Sequence, residues 1–153
     1  MSEHRATIEW KLEGEFRYEV YPRSHTIDFG RGIRVPGSAA PENVPTTAAG
    51  APGVDPEQAF VASLSSCHML WFLHVACRAK FIVERYLDEA AGTLEKDAAG
   101  KMAMTRVILR PLVTFSGAAP APEQHARLHE SAHEKCYIAN SVKTEVVVQP
   151  SIA

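Results

Sequence analysis

Residues 58–80 contain neither glycine nor proline, and most of them are apolar. Asp55-Pro56-Glu57 stands directly before this run. Asp is a good N-cap, Pro suits the first helical position, and Glu in the first turn favours the helix dipole. The pattern predicts a helix over 56–79, spanning ~36 Å at 1.5 Å per residue. Ala59, Phe60, Val61, Leu64, Met69, Leu70, Trp71, Phe72, Leu73 and Val75 leave almost no polar side to it. A helix apolar all round is buried all round. A chain of 153 residues can hardly surround one, so a partner subunit is expected to cover part of it. Ser63, Ser65, Ser66 and His68 sit mid-helix, and polar atoms there need partners or mark a pocket.

The flanking segments change period. Residues 6–12 alternate, with Ala6, Ile8, Trp10 and Leu12 on one face, as a half-buried strand does. Residues 16–21 predict a returning strand and 25–29 a third. Residues 30–54 carry Pro36, Pro41, Pro45 and Pro52 with no visible period, which predicts a long loop of functional use. Strands are expected within 81–96, broken by Gly92, and within 102–115, where Pro111 suggests an edge or a bulge. Pro122 opens a helix to about Tyr137, and 142–148 alternate as a last strand. The fold class is α+β, in a single domain over 1–153.

Charge excludes several function classes. Sixteen basic and 18 acidic residues give a net charge of −2, so a broad basic face for nucleic acid is not expected. A hydrophobic content of 46% argues against disorder. No run of about 18 consecutive apolar residues predicts a membrane span. No apolar stretch follows the N-terminal charges as in a signal peptide. The expected compartment is the cytoplasm. Three cysteines are too few, and odd in number, for a disulfide framework.

Those cysteines are the first candidates for chemistry. Cys67 lies mid-way along the predicted helix, in Ser65-Ser66-Cys67-His68. Cys77 follows ten residues later, ~15 Å along the axis, beyond the ~7 Å between Cα atoms that a disulfide tolerates. An intrachain pair, if one forms, is therefore Cys67–Cys136 or Cys77–Cys136. Cys77 is read as structural or incidental. His129-Glu130-Ser131-Ala132-His133 fits the H-E-x-x-H pattern of zinc hydrolases, with His125 and Cys136 on the same face. Such sites need a third ligand and an open position, and no histidine follows His133. A metal on the His125, His129, His133 and Cys136 face is thus weighed below a solvated or pocket-lining histidine face. Arg23, His25 and Glu57 are, taken alone, ordinary surface charges.

Pro56-Glu57-Gln58-Ala59-Phe60-Val61-Ala62-Ser63-Leu64-Ser65-Ser66-Cys67 resembles the signature of the OsmC/Ohr family, whose reactive cysteine follows Pro-Glu on a long central helix. His133-Glu134-Lys135-Cys136 and Ile138-Ala139-Asn140-Ser141-Val142 resemble the region of its second cysteine. The resemblance extends over nearly the whole chain. It implies an intertwined homodimer, with N-terminal antiparallel strands, a central helix and active sites at the interface. It implies reduction of organic hydroperoxides, with Cys67 attacking and Cys136 resolving, and a dithiol as reductant. Glu57 would pair with an arginine of the N-terminal strands, Arg23 or alternatively Arg17. No cofactor or metal is implied. Cys136 is followed by Tyr137-Ile138, where many peroxidase members have Pro, and Cys67 by His68-Met69-Leu70-Trp71, a bulkier run than in the best-known members. These departures mark a less characterised branch and keep a second class open: a non-peroxidase protein of this fold that binds a small apolar ligand or a metal. The chemistry is coherent for the first. A thiolate attacks the O–O bond, and a nearby guanidinium favours it and stabilises the departing alkoxide. A carboxylate fixes that guanidinium. Phe60, Trp71 and the proline-rich loop would suit an alkyl or aryl group.

Overall fold

The structure is a computed structural model that describes every residue except Ala49. The chain forms two compact units, Met1–Ala59 and Phe60–Ala153.

In the first unit, β1 (Thr7–Glu9), β2 (His25–Asp28) and β3 (Arg34–Gly37) make an antiparallel sheet in that order. The strand expected over 16–21 does not form. Val20 and Tyr21 both donate their N–H to Arg17 O, which closes a turn instead. Phe16 and Tyr21 are drawn onto Trp10, with ring centroids 6.0 Å from it and 5.0 Å from each other. The Trp10 indole donates to Pro22 O at 2.8 Å. Aromatic packing outweighs the alternating pattern there. The loop expected over 30–54 also contains structure: β3 and two short 3₁₀ turns, Pro41–Asn43 and Thr46–Ala48. Pro36 is tolerated because β3 is an edge strand. Its carbonyl accepts Val54 N–H at 2.9 Å. Gly53 allows this contact, since a Cβ there would lie 2.6 Å from Gly37 C.

α1 (Pro56–Arg78) starts as predicted. Asp55 Oδ1 accepts Gln58 N–H at 2.7 Å, and Gln58 Oε1 accepts Asp55 N–H at 3.3 Å, a reciprocal cap. The helix ends at Arg78, with Lys80 in the left-handed region (φ 66°) that glycine usually fills. By length and mean hydropathy (1.5) α1 matches a membrane span, and 22% of its most apolar window is buried. Only the stripe Leu64, His68, Phe72 and Ala76 is fully buried within one chain, so the helix is not covered on every side here. Its middle serines are satisfied: Ser63 donates to Phe60 O at 2.7 Å, Ser66 to Ser63 O at 3.3 Å and Ser65 to Asp88 Oδ2 at 2.5 Å.

Two three-stranded sheets complete the second unit. One has the order β4 (Ile82–Asp88), β7 (Pro111–Ser116), β9 (Ser151–Ile152); the other β5 (Ala91–Lys96), β6 (Met102–Leu109), β8 (Glu145–Val148). In each, the first pair is antiparallel and the second parallel. Gly92 lies inside β5 and does not break it. A Cβ there would come within 2.3 Å of Met104 and 2.7 Å of Val61, so glycine lets α1 approach the strand. Pro111 marks neither an edge nor a bulge: it is the first residue of β7, the central strand of its sheet, a position proline tolerates. The last strand is shorter than 142–148 and is followed by β9, too short to show a period. α2 (Pro122–Lys135) stops two residues before Tyr137, because Cys136 turns to extended backbone (ψ 107°). One core gathers Phe72, Ala76, Val113 and Ala132, and the other Leu64, Val107 and Leu109.

Candidate active site

Cys67 and Cys136, 69 residues apart in sequence, meet. Cys67 is half-buried on α1 and Cys136 is buried at the C-terminal cap of α2. The Cys67 thiol lies close enough to act on the Cys136 thiol, and no disulfide joins them. Burial above all, and then the Cys67 thiol, push the Cys136 thiol up to about 11. The Ala139 N–H, 3.5 Å from Cys136 Sγ, opposes this. Cys77 is exposed.

His125 and His129 are not a solvated face: both are buried, on the stripe of α2 that also carries Ala132 and Cys136. His129 Nδ1 lies 3.0 Å from His68 Nε2, and His129 Nε2 lies 3.2 Å from His125 Nε2. The His129 ring stacks on Phe72 with centroids 4.1 Å apart. Burial lowers all three, His68 to about 4 and His129 to about 3, and for these two the neighbouring imidazoles add to it. His68 Nδ1 and Tyr86 OH are buried without a hydrogen-bond partner among the described residues. His133 is half-buried, its ring 6.4 Å from His68. Glu130, the would-be base of the H-E-x-x-H pattern, is exposed. Among the described residues no group of three or more His, Cys, Asp or Glu side chains is placed to hold a metal ion. Spacing alone could have suggested this network, because His68 continues the stripe of Leu64, Phe72 and Ala76, and His125 and His129 are four apart. Only the packing of α1 on α2 joins the two.

The charged candidates lie in the first unit. Arg23 donates to Tyr21 O and, at 2.9 Å, to Tyr18 O, and its guanidinium lies 3.4 Å from the Tyr21 ring centroid. Arg17 pairs with Glu15 at 2.6 Å, in solvent. Glu57 is half-buried in the first turn of α1. Within one chain, among the described residues, no ion pair joins Glu57 to either arginine. Phe60 and Trp71 pack on different cores, and Trp71 meets Tyr137 edge-on at 5.4 Å.

The family model of OsmC-like proteins matches residues 48–151, more than half of the chain. The chain belongs to the OsmC-like family. An OsmC-like protein of unknown function from Vibrio cholerae is 46% identical, with a TM-score of 0.93 over 99% of this chain and 100% of that one. An organic hydroperoxide resistance protein from Legionella pneumophila is 18% identical (TM-score 0.66; 100% of this chain, 98% of that one). One from Bacillus subtilis is 19% identical (0.65; 99% and 98%). These last two share the fold. No curated protein matches in sequence.

Proposed function

We propose that this OsmC-like protein is a cysteine-based peroxidase that reduces organic hydroperoxides in the cytoplasm, as a homodimer. The observation that carries the reading is the proximity of the Cys67 and Cys136 thiols. A sulfenic acid on one is then within reach of the other, and a disulfide closes before further oxidation. Cys67, the more accessible of the two, is the nucleophile, and Cys136 resolves. A small dithiol returns the disulfide to thiols by exchange. The fold it shares with two organic hydroperoxide resistance proteins supports the same class.

The dimer follows from what one chain leaves uncovered. Leu70 is 62% exposed on α1, and Phe16, Phe29, Ile82 and Met102 are more than half exposed. α1, apolar almost all round but fully buried along one stripe only, leaves apolar surface for a partner to cover. Glu57 stands ten residues before Cys67 on α1, ~15 Å of helix rise. In this reading the Glu57 that serves one Cys67 comes from the other subunit, and Arg23 is the candidate cation beside the thiolate.

Three serine variants test the assignment by mass spectrometry after hydroperoxide treatment. Cys67→Ser should consume none, because a serine hydroxyl does not attack the O–O bond at neutral pH. Cys136→Ser should turn over once and hold a sulfenic acid on Cys67, passing to sulfinic acid in excess peroxide. Cys77→Ser should match wild type. A Cys67→Ser variant that still consumes hydroperoxide would overturn the proposal. A second reading, binding of a small apolar ligand, has one observation in its favour: an open surface cavity of about 560 Å³ lined by Phe60, Met104 and Val142, among others, and by none of the cysteines.

A further inference from the structure

Cys136 is held by its own turn at three atoms. Its N–H donates to His133 O at 3.1 Å, its carbonyl accepts Asn140 N–H at 3.0 Å, and its Sγ accepts Ala139 N–H at 3.5 Å. Ile138 and Ala139, in the middle of the turn, pack against the core of Leu64, Val107 and Leu109. Tyr137 meets Trp71 of α1 edge-on. Trp71 stands four residues after Cys67 and Tyr137 one after Cys136, so this ring contact lies one helical turn along α1 from Cys67.

The weak place in this arrangement is the end of α2. The last carbonyls of a helix lack partners within it, and the last turn frays. Cys136 stands at that end, directly after Lys135. Fraying there would swing its thiol away from Cys67. Asn140 closes the end twice. Its backbone N–H takes the Cys136 carbonyl, and its side-chain Nδ2 donates at 3.0 Å to Glu134 O, one of the last four carbonyls of α2. Asn140 is itself exposed, whereas Cys136 is buried.

We propose that Asn140 is a positioning residue for disulfide closure: it holds Cys136 at Cys67, so that closure outruns further oxidation. This rests on the peroxidase reading and deepens it by naming the group that governs the fate of the sulfenic acid.

The chemistry shows why position matters at this step. The Cys136 thiol loses its proton, and the thiolate attacks the sulfur of the Cys67 sulfenic acid. The S–S bond forms, the S–O bond breaks, and the departing hydroxide takes up that proton as water. The oxidation first held by Cys67 alone is then shared by two sulfurs, and no further oxidant or reductant enters. The attack is intramolecular, so its rate follows the fraction of time the two sulfurs are aligned. A misplacement of about 1 Å costs as much as ~100-fold in such a step. The Ala139 N–H, which favours the attacking thiolate, belongs to the same turn and is lost with it. The competing reaction, a second hydroperoxide turning the sulfenic into the sulfinic acid, needs no Cys136. Neither does the first attack by Cys67. Loss of the Asn140 amide should therefore slow closure and spare the first step.

The test resolves the two steps in single turnovers at pH 7, with tert-butyl hydroperoxide, in wild type, Asn140→Ala and Asn140→Asp. Alanine removes the donor. Aspartate keeps the size, but its ionised carboxylate only accepts. In both variants the sulfenic acid on Cys67 should form within about 2-fold of the wild-type rate, and the Cys67–Cys136 disulfide about 10-fold more slowly. Excess hydroperoxide should then drive more Cys67 to sulfinic acid than in wild type. A disulfide rate unchanged in either variant, or both steps slowed alike, overturns the role of Asn140 and leaves the peroxidase reading standing. A wild-type protein that forms neither sulfenic acid nor disulfide at Cys67 overturns both. Either variant decides if the other fails to fold. If neither folds, amide hydrogen exchange of the wild type decides. Cys136 and Asn140 amides protected like those of α2 support the hold on Cys136, and amides that exchange as in an open chain overturn it.

Discussion

Acidification from pH 7 to pH 5 should destabilise this protein more than its net charge of −2 suggests. The cause is the pair His68 and His129, held in the folded state near 4 and near 3 by burial first and by neighbouring imidazoles second. In the unfolded chain both return to the ordinary histidine value of 6.5. Above that value both states are neutral and the pair has no effect. As the pH falls below it the unfolded chain takes up protons that the folded chain refuses, so stability is lost down to the folded values. By pH 5 the loss is about 2 kcal/mol for each ring, at 1.36 kcal/mol per pH unit. For the pair it is about 4 kcal/mol, a large part of a typical domain stability. For a chain of this size that lowers Tm by about 10 °C. Urea unfolding at fixed protein concentration, at pH 7, 6 and 5, measures it directly. The Asp28 carboxylate, lowered by the Gly30 N–H and then by Arg34, belongs to a window below pH 4 and does not interfere. His129→Gln should remove roughly half of the slope. A wild-type stability that changes by less than about 1 kcal/mol between pH 7 and 5, or an unchanged slope in the variant, would refute the burial argument.

Alkylation by iodoacetamide at pH 8 should label exposed Cys77 first and Cys136 last, because Cys136 is 1% exposed and its thiol is held up near 11; peptide mass spectrometry over time reads the order. Lys80→Gly should raise stability by about 1 kcal/mol by relieving the left-handed backbone at the end of α1, measured by urea unfolding. Arg23→Ala should slow hydroperoxide reduction with little change in unfolding midpoint, and a variant as fast as wild type would move the role to Arg17. Sedimentation at micromolar concentration should give about twice the 16.8 kDa of one chain, and a folded monomer would refute the dimer.

Much of the fold could be read from local pattern. The cap at Asp55, the glycine-free run after it and the proline at the head of α2 each act within one turn of chain, so composition at those points decides structure. The errors share another cause. Residues 16–21 alternate as a strand does, yet Phe16 and Tyr21 gain more by packing on Trp10, a partner that period two does not reveal. Gly92 looks like a break because glycine weakens strands in isolation. What keeps it in β5 is the close approach of Val61 from α1, a tertiary contact.

The site was legible only as two separate motifs. Cys67 and Cys136 each stood out in sequence, but their contact depends on the packing of α1 against α2. The same packing explains why the histidines were misread. On α2 alone, His125, His129 and His133 make a polar stripe, and a polar stripe on a helix with charged neighbours ordinarily faces water. On α1 alone, His68 is a lone polar residue in an apolar stripe. Brought face to face, each supplies the partner that the other lacks, so burial that would be costly for either becomes tolerable for both. Among the described residues one buried nitrogen of this network, His68 Nδ1, has no partner. A buried donor or acceptor without a partner costs about 1–3 kcal/mol, and its neighbour in sequence is the proposed nucleophile.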